Sequence, residues 1–109
     1  MIPIKGVLID FHFSIIQERK MVTREVTIKN SVGLHARPAT FFIQKANSFK
    51  SSIWVEREDR RVNAKSLLGV LSLGIVKGME ITLVSDGPDE EEAVDSLASL
   101  IDNELDDLK

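Results

Sequence analysis

The stretch Ser51-Ser52-Ile53-Trp54-Val55-Glu56-Arg57-Glu58-Asp59-Arg60-Arg61-Val62-Asn63-Ala64 decides the fold. Residues 51–58 alternate, with Ile53 and Val55 on one side and Trp54 on the other, the period of a strand with one buried face. Glu58-Asp59-Arg60 reads as the turn of a hairpin and Arg61 to Ala64 as a short return strand. Tightly joined strands of this kind run antiparallel.

Before the hairpin, residues 22–29 place Val22, Val26 and Ile28 at period two, which predicts a strand. Asn30-Ser31-Val32-Gly33 is a turn signal. From Ala36 to Phe49 the apolar positions Ala39, Phe42, Ile43, Ala46 and Phe49 recur at helical spacing. Pro38 is tolerated only in a first turn, so the helix is expected to start near His35.

After the hairpin, Ser66 opens a brief apolar helix, Leu67 to Leu73, interrupted by Gly69. Gly74 and Gly78 bracket a loop, and Glu80 to Ser85 is a strand with Ile81 and Leu83 inward. Asp86-Gly87-Pro88 is a turn, and Asp89 to Glu92 bring negative charge to the start of a last helix. Ala93, Val94, Leu97, Leu100, Ile101 and Leu105 form its apolar stripe. The order strand, helix, two strands, short helix, strand, helix predicts an α+β fold, with helices on one face of a mainly antiparallel sheet.

A chain of 109 residues suits one domain with one core. Hydrophobic residues make up 43% and charged residues 28%, a globular balance. The net charge of −3 gives no general pull toward nucleic acid or an anionic membrane. The absence of cysteine excludes disulfides, thiolate nucleophiles and zinc–thiolate sites. No segment approaches the ~20 apolar residues that span a bilayer, and the start lacks a secretory pattern; cytoplasmic residence is the expectation.

Residues 1–20 read as an extension outside the domain, which is expected to occupy residues 21–109. Ile2, Ile4, Val7, Leu8, Ile9, Phe11, Phe13, Ile15 and Ile16 make the extension more apolar than a disordered tail. Such a segment suits covering an exposed sheet face or pairing with a neighbouring chain.

Gly33-Leu34-His35-Ala36-Arg37-Pro38-Ala39 carries the chemistry. It sets a histidine at a helix N-terminus, where unpaired N–H groups and a partial positive charge favour anions. Imidazole has a reference pKa of about 6.5, so its neutral form offers a lone pair near pH 7 and needs no separate base to attack phosphorus. Arg37 follows two residues on, and a guanidinium matches phosphate oxygens through paired hydrogen bonds. Outside this motif, a lone histidine and a surface arginine would read as ordinary exposed side chains, as Arg24 does.

The Gly33–Ala39 motif resembles the phosphoryl-acceptor site of HPr, the histidine-containing phosphocarrier of the bacterial sugar phosphotransferase system. Asn63-Ala64-Lys65-Ser66-Leu67-Leu68-Gly69-Val70-Leu71-Ser72-Leu73-Gly74 resembles the regulatory serine region of HPr proteins from Gram-positive bacteria. The likeness runs from about Met21 to Lys109, and residues 1–20 have no counterpart in it.

The resemblance implies an open-faced β-sandwich, four antiparallel strands with three helices on one side. It implies that phosphate derived from phosphoenolpyruvate passes from enzyme I to His35, on Nδ1, and then to the EIIA component of a sugar permease. Arg37 would steady the transferring group; Ala36, Gly33 and Pro38 would shape the supporting helix N-terminus. Ser66 would be the target of HPr kinase/phosphorylase, and its phosphate would favour binding to the catabolite-control transcription factor. It is also a good N-cap, and the two roles are compatible. Leu67, Leu68 and Leu71 cannot all be buried by so short a helix and would dock these proteins, or else are plain core. The family often has a small polar residue at the Val32 position, able to cap the helix; valine cannot.

No cofactor and no metal is expected: His12 and His35 have no ligand spacing between them. Two functions remain open. One is a phosphocarrier, a transfer protein rather than a turnover enzyme. The other is a regulatory binding module without sugar transport, as in HPr-like paralogues that lack the histidine. The sugar served is not written in this chain, because specificity lies in the permease.

Overall fold

The computed structural model describes residues 21–105. The expectations for residues 1–20, including His12 and the covering of a sheet face, lie outside these. Strand β1 (Val22–Thr27) leads to helix α1 (Ala36–Asn47), then to the hairpin β2 (Ser52–Arg57) and β3 (Arg60–Asn63). Helix α2 (Leu67–Ser72), strand β4 (Glu80–Asp86) and helix α3 (Glu90–Ser99) complete the order. The sheet has four strands in the order β1-β4-β2-β3, every neighbouring pair antiparallel. This is the α+β architecture that the hairpin and the mixed order predict.

The register puts the apolar positions on one face. Val26 lies opposite Ile81, and Val55 lies opposite both Leu83 and Val62. These residues join Phe42, Ala46, Val70, Ala93 and Leu97 of the helices in one core. The opposite face carries Thr23, Val84, Trp54 and Asn63 in a single cross-strand row. There the Arg61 guanidinium lies 5.2 Å from the Trp54 ring centroid and also pairs with Glu56.

Several boundaries differ from the sequence pattern, each for a local reason. The first strand stops at Thr27, because Ile28 leaves the ladder: its N–H donates to the Met79 carbonyl at 2.9 Å and its carbonyl accepts from Gly78 N–H at 2.8 Å. Helix α1 stops at Asn47, where Asn47 Nδ2 donates to the Ile43 carbonyl at 2.9 Å and Ser48 caps the end. The hairpin turn is shorter than read, since Arg60 already pairs with Arg57, and Glu58 turns the chain with φ 56°. The last helix continues as a π-helical turn, Leu100–Glu104, which keeps Leu100 and Ile101 buried.

Arg24, assigned no role from the sequence, pairs with Asp95 and ties β1 to α3. The start of α3 is fastened to the two residues before β2 by Asp89. Its carboxylate accepts from Ser51 Oγ at 2.5 Å, Ser51 N–H at 2.9 Å and Lys50 N–H at 3.0 Å. Gly87 permits this approach: with φ 155°, a Cβ there would lie 2.6 Å from Ser51 Cα. The Ser51 hydroxyl, and then the Lys50 and Ser51 N–H groups, hold the Asp89 carboxyl at about 2, below its ordinary 3.8.

A depressed folded-state pKa stabilises the fold above the ordinary value and loses that effect as pH falls through the folded value. Thermal unfolding followed by circular dichroism from pH 5 to pH 2 checks this. The parent is expected to melt above Asp89→Asn at pH 5, and the gap is expected to narrow between about pH 4 and pH 2. A gap that is constant across that range would show that the charge of Asp89 is not its source.

Candidate functional site

His35 is the N-cap residue of α1, with extended backbone angles, φ −119° and ψ 157°. Its position follows from its neighbours. Leu34 is fully buried, and Pro38, Ala39 and Phe42 bury the first turns of α1. The chain is thus held inward on both sides of an exposed imidazole. His35 makes no side-chain cap.

The first intrahelical bond runs from Ala39 N–H to the His35 carbonyl at 3.4 Å. Pro38 has no N–H to satisfy, so the first-turn donors without an intrahelical acceptor are those of Ala36 and Arg37. Arg37 is exposed on that turn and forms no ion pair among the described residues. An exposed imidazole, two backbone donors and a guanidinium with no ion pair among the described residues lie at one helix end, an arrangement chemically suited to a tetrahedral anion.

The loop before His35 is held by contacts that the sequence did not reveal. Gly33 N–H donates to the Asn30 carbonyl at 3.2 Å, closing the expected turn, and buried Asn30 returns Nδ2 to the Gly33 carbonyl at 2.8 Å. Leu34 N–H donates to the Ile75 carbonyl at 3.1 Å. Gly33, at φ 64°, lies so close that a Cβ would fall 2.3 Å from that same oxygen. A glycine before a histidine was the only visible trace of this crossing; the Ile75 partner is 41 positions along and leaves no local pattern. Val32 lies before the N-cap and its side chain has no hydrogen-bonding group, so it takes no part in capping.

Ser66 is the N-cap of α2, and its Oγ accepts from Gly69 N–H at 3.1 Å. Of the three leucines, Leu68 is 80% exposed and Leu67 40%, while Leu71 is half-buried. Val70 alone of α2 is buried. Helix α2 packs against α1, and the segment after it supplies Ile75 to the His35 loop.

No group of three His, Cys, Asp or Glu side chains among the described residues is placed to hold a metal. A concavity of about 450 Å³ lies elsewhere, lined by Glu25, Glu56, Arg57, Glu58, Met79, Glu80 and Thr82. Its four carboxylates repel phosphate, so the chemistry points to the exposed His35 end of α1 instead. No described helix is long and apolar enough to cross a membrane.

The family model described as the PTS HPr component phosphorylation site matches residues 22–103. The HPr-like protein Crh of Halalkalibacterium halodurans is 46% identical over 84 residues, 77% of this chain and all of that one. Phosphocarrier protein HPr of Neisseria meningitidis is 46% identical over 81 residues, 74% of this chain and 91% of that one. The crystal structure of HPr-C-His from Thermoanaerobacter tengcongensis superposes with a TM-score of 0.71 at 51% identity, covering 76% of this chain and 91% of that one. The match spans the sheet, the helices and the loop that presents His35, and the chain belongs to the HPr family of the phosphotransferase system.

Proposed function

We propose that this protein is a phosphoryl carrier that takes phosphate from enzyme I on His35 Nδ1 and delivers it to EIIA components of sugar permeases. The observation that carries the proposal is His35 itself, exposed at the N-terminus of α1, with Arg37 on the same turn forming no ion pair among the described residues. The imidazole lone pair attacks phosphorus, and the bond from phosphorus to the donor breaks as the N–P bond forms. Delivery to EIIA reverses the step. Arg37 and the first-turn N–H groups balance charge on the phosphoryl oxygens, where catalysis is mostly positioning and electrostatics.

The HPr-like relatives named Crh favour a second reading, a regulatory module. The presence of His35 sets this chain apart from the histidine-lacking paralogues to which that role belongs in the family resemblance. Both readings include control at Ser66 by HPr kinase/phosphorylase and recognition by the catabolite-control transcription factor. A phosphate on Ser66 adds roughly −1.5 to −2 charges at the start of α2, where backbone N–H groups tolerate them. It alters the surface beside Leu67 and Leu68 more than the fold. Those leucines, with Leu71, form the docking face in this proposal.

Incubation with phosphoenolpyruvate and enzyme I is expected to add one acid-labile phosphate to the parent and none to His35→Ala. Equal labelling of the two would remove the carrier assignment. Arg37→Ala is expected to fold normally and to accept phosphate about 10- to 100-fold more slowly, as for loss of a hydrogen-bonded charge in a transition state; stopped-flow or quench measurements of the transfer rate read this.

With ATP and the serine kinase, labelling is expected at Ser66 and is abolished in Ser66→Ala. Loss of the cap in that variant should cost about 1 kcal/mol and lower the melting temperature by roughly 4–8 °C. Labelling by the kinase alone, with none from enzyme I, would favour the regulatory module.

Residues 1–20 have no part in this reading, since the family match begins at Val22. A chain starting at Met21 is expected to accept phosphate from enzyme I at the parent's rate. A loss of several-fold would assign the extension a role in docking.

A further inference from the structure

Helix α2 has only six residues, too few for a stable helix on its own. It nevertheless presents Leu67 and Leu68 to solvent, so its position depends on what holds its two ends. Ser66 holds the first. The second is held from the β2–β3 hairpin. Arg60 Nη1 donates to the Ser72 carbonyl at 2.8 Å, and its Nη2 donates to Ser72 Oγ at 3.0 Å. Ser72 Oγ in turn donates to the Gly69 carbonyl at 2.6 Å. Arg57 Nη1 donates to the Leu73 carbonyl at 3.3 Å.

These are terminal carbonyls of α2, which lack intrahelical donors and carry partial negative charge. The guanidiniums are directed to them in spite of the carboxylates at hand. Arg60 forms no ion pair among the described residues, and Arg57 has only Glu58, at 3.8 Å. Two residues beyond Leu73, the Ile75 carbonyl receives Leu34 N–H next to His35. The hairpin arginines therefore grip the chain between the exposed leucines and the loop that carries the histidine.

We propose that Arg57 and Arg60 are positioning residues that fix the docking helix α2 relative to the His35 loop. This rests on the carrier reading above, in which a partner binds the leucine face while phosphate moves to His35. Neither arginine touches the reacting atoms. Without them α2 spends part of its time out of register, and apparent affinity falls by the fraction of time the docking arrangement is populated.

The test uses the full chain as the phosphate-accepting substrate of phospho-enzyme I, with Arg60→Gln, Arg60→Lys and the double variant Arg57→Gln/Arg60→Gln. The double variant is expected to raise KM by about three- to tenfold, for a docking arrangement populated between a third and a tenth of the time, with kcat within about twofold. Arg60→Gln should raise KM less, and Arg60→Lys should recover part of that rise, since its ammonium keeps the charge and N–H donors but not the two-nitrogen fork. Amide hydrogen exchange without any partner is expected to quicken at Val70 to Gly74 and at Leu34, and to stay unchanged in β1 and α3. Faster exchange with an unchanged KM would overturn the proposal by making the arginines structural only. Unchanged exchange would overturn the grip itself, and Arg60→Gln keeps both readings available if the double variant does not fold. A parent that accepts no phosphate would sink the carrier reading and the docking role with it, while the exchange data would still judge the grip.

Discussion

The crossing of two loops at Gly33 is the contact on which the site depends. The Ile75 carbonyl accepts a hydrogen bond from Leu34, and Gly33 presses against the same oxygen with no room for a side chain. That contact fixes the residue before His35, while buried Leu34 and the buried first turns of α1 fix the residues around it. The histidine is exposed because its neighbours cannot be. On the carrier reading proposed above, this arrangement presents the imidazole and the helix N-terminus to the incoming anion.

The same crossing links the two motifs of the chain. Segment 73–79 runs from the end of α2 into β4 and also bonds Ile28 at the end of β1, through Met79 and Gly78. The serine-capped helix and the helix that begins after His35 are thus tied by short backbone contacts, to which the Arg57 and Arg60 side chains add hydrogen bonds at the end of α2. The sheet below is closed by opposing rows of Val, Ile and Leu, and α3 is fastened across it by Asp89 and Arg24.

Much of this was legible in the sequence, and the rest was not, for physical reasons. The strands and helices were readable because burial on one face imposes a period of two or of 3.6. The placement of His35, Arg37 and Ser66 at helix starts was readable because local rules about helix starts act over a few residues. Asn30, Ile75, Arg57 and Arg60 were not, because each acts through a backbone partner that no periodicity marks. Arg60 read as turn polarity, yet its guanidinium sits on the end of α2. The end of β1 was misread because Ile28 continues the apolar alternation while its backbone turns to another loop. Glu58 adopts a left-handed conformation where glycine or asparagine would have announced it.

The central claim is that His35 carries the phosphate. The most direct measurement is nitrogen-resolved NMR of the imidazole-labelled protein after incubation with phosphoenolpyruvate and enzyme I. The account predicts a single phosphohistidine whose phosphorus is bonded to Nδ1 of His35. Phosphate on His12, on Nε2, or on no histidine at all would contradict it.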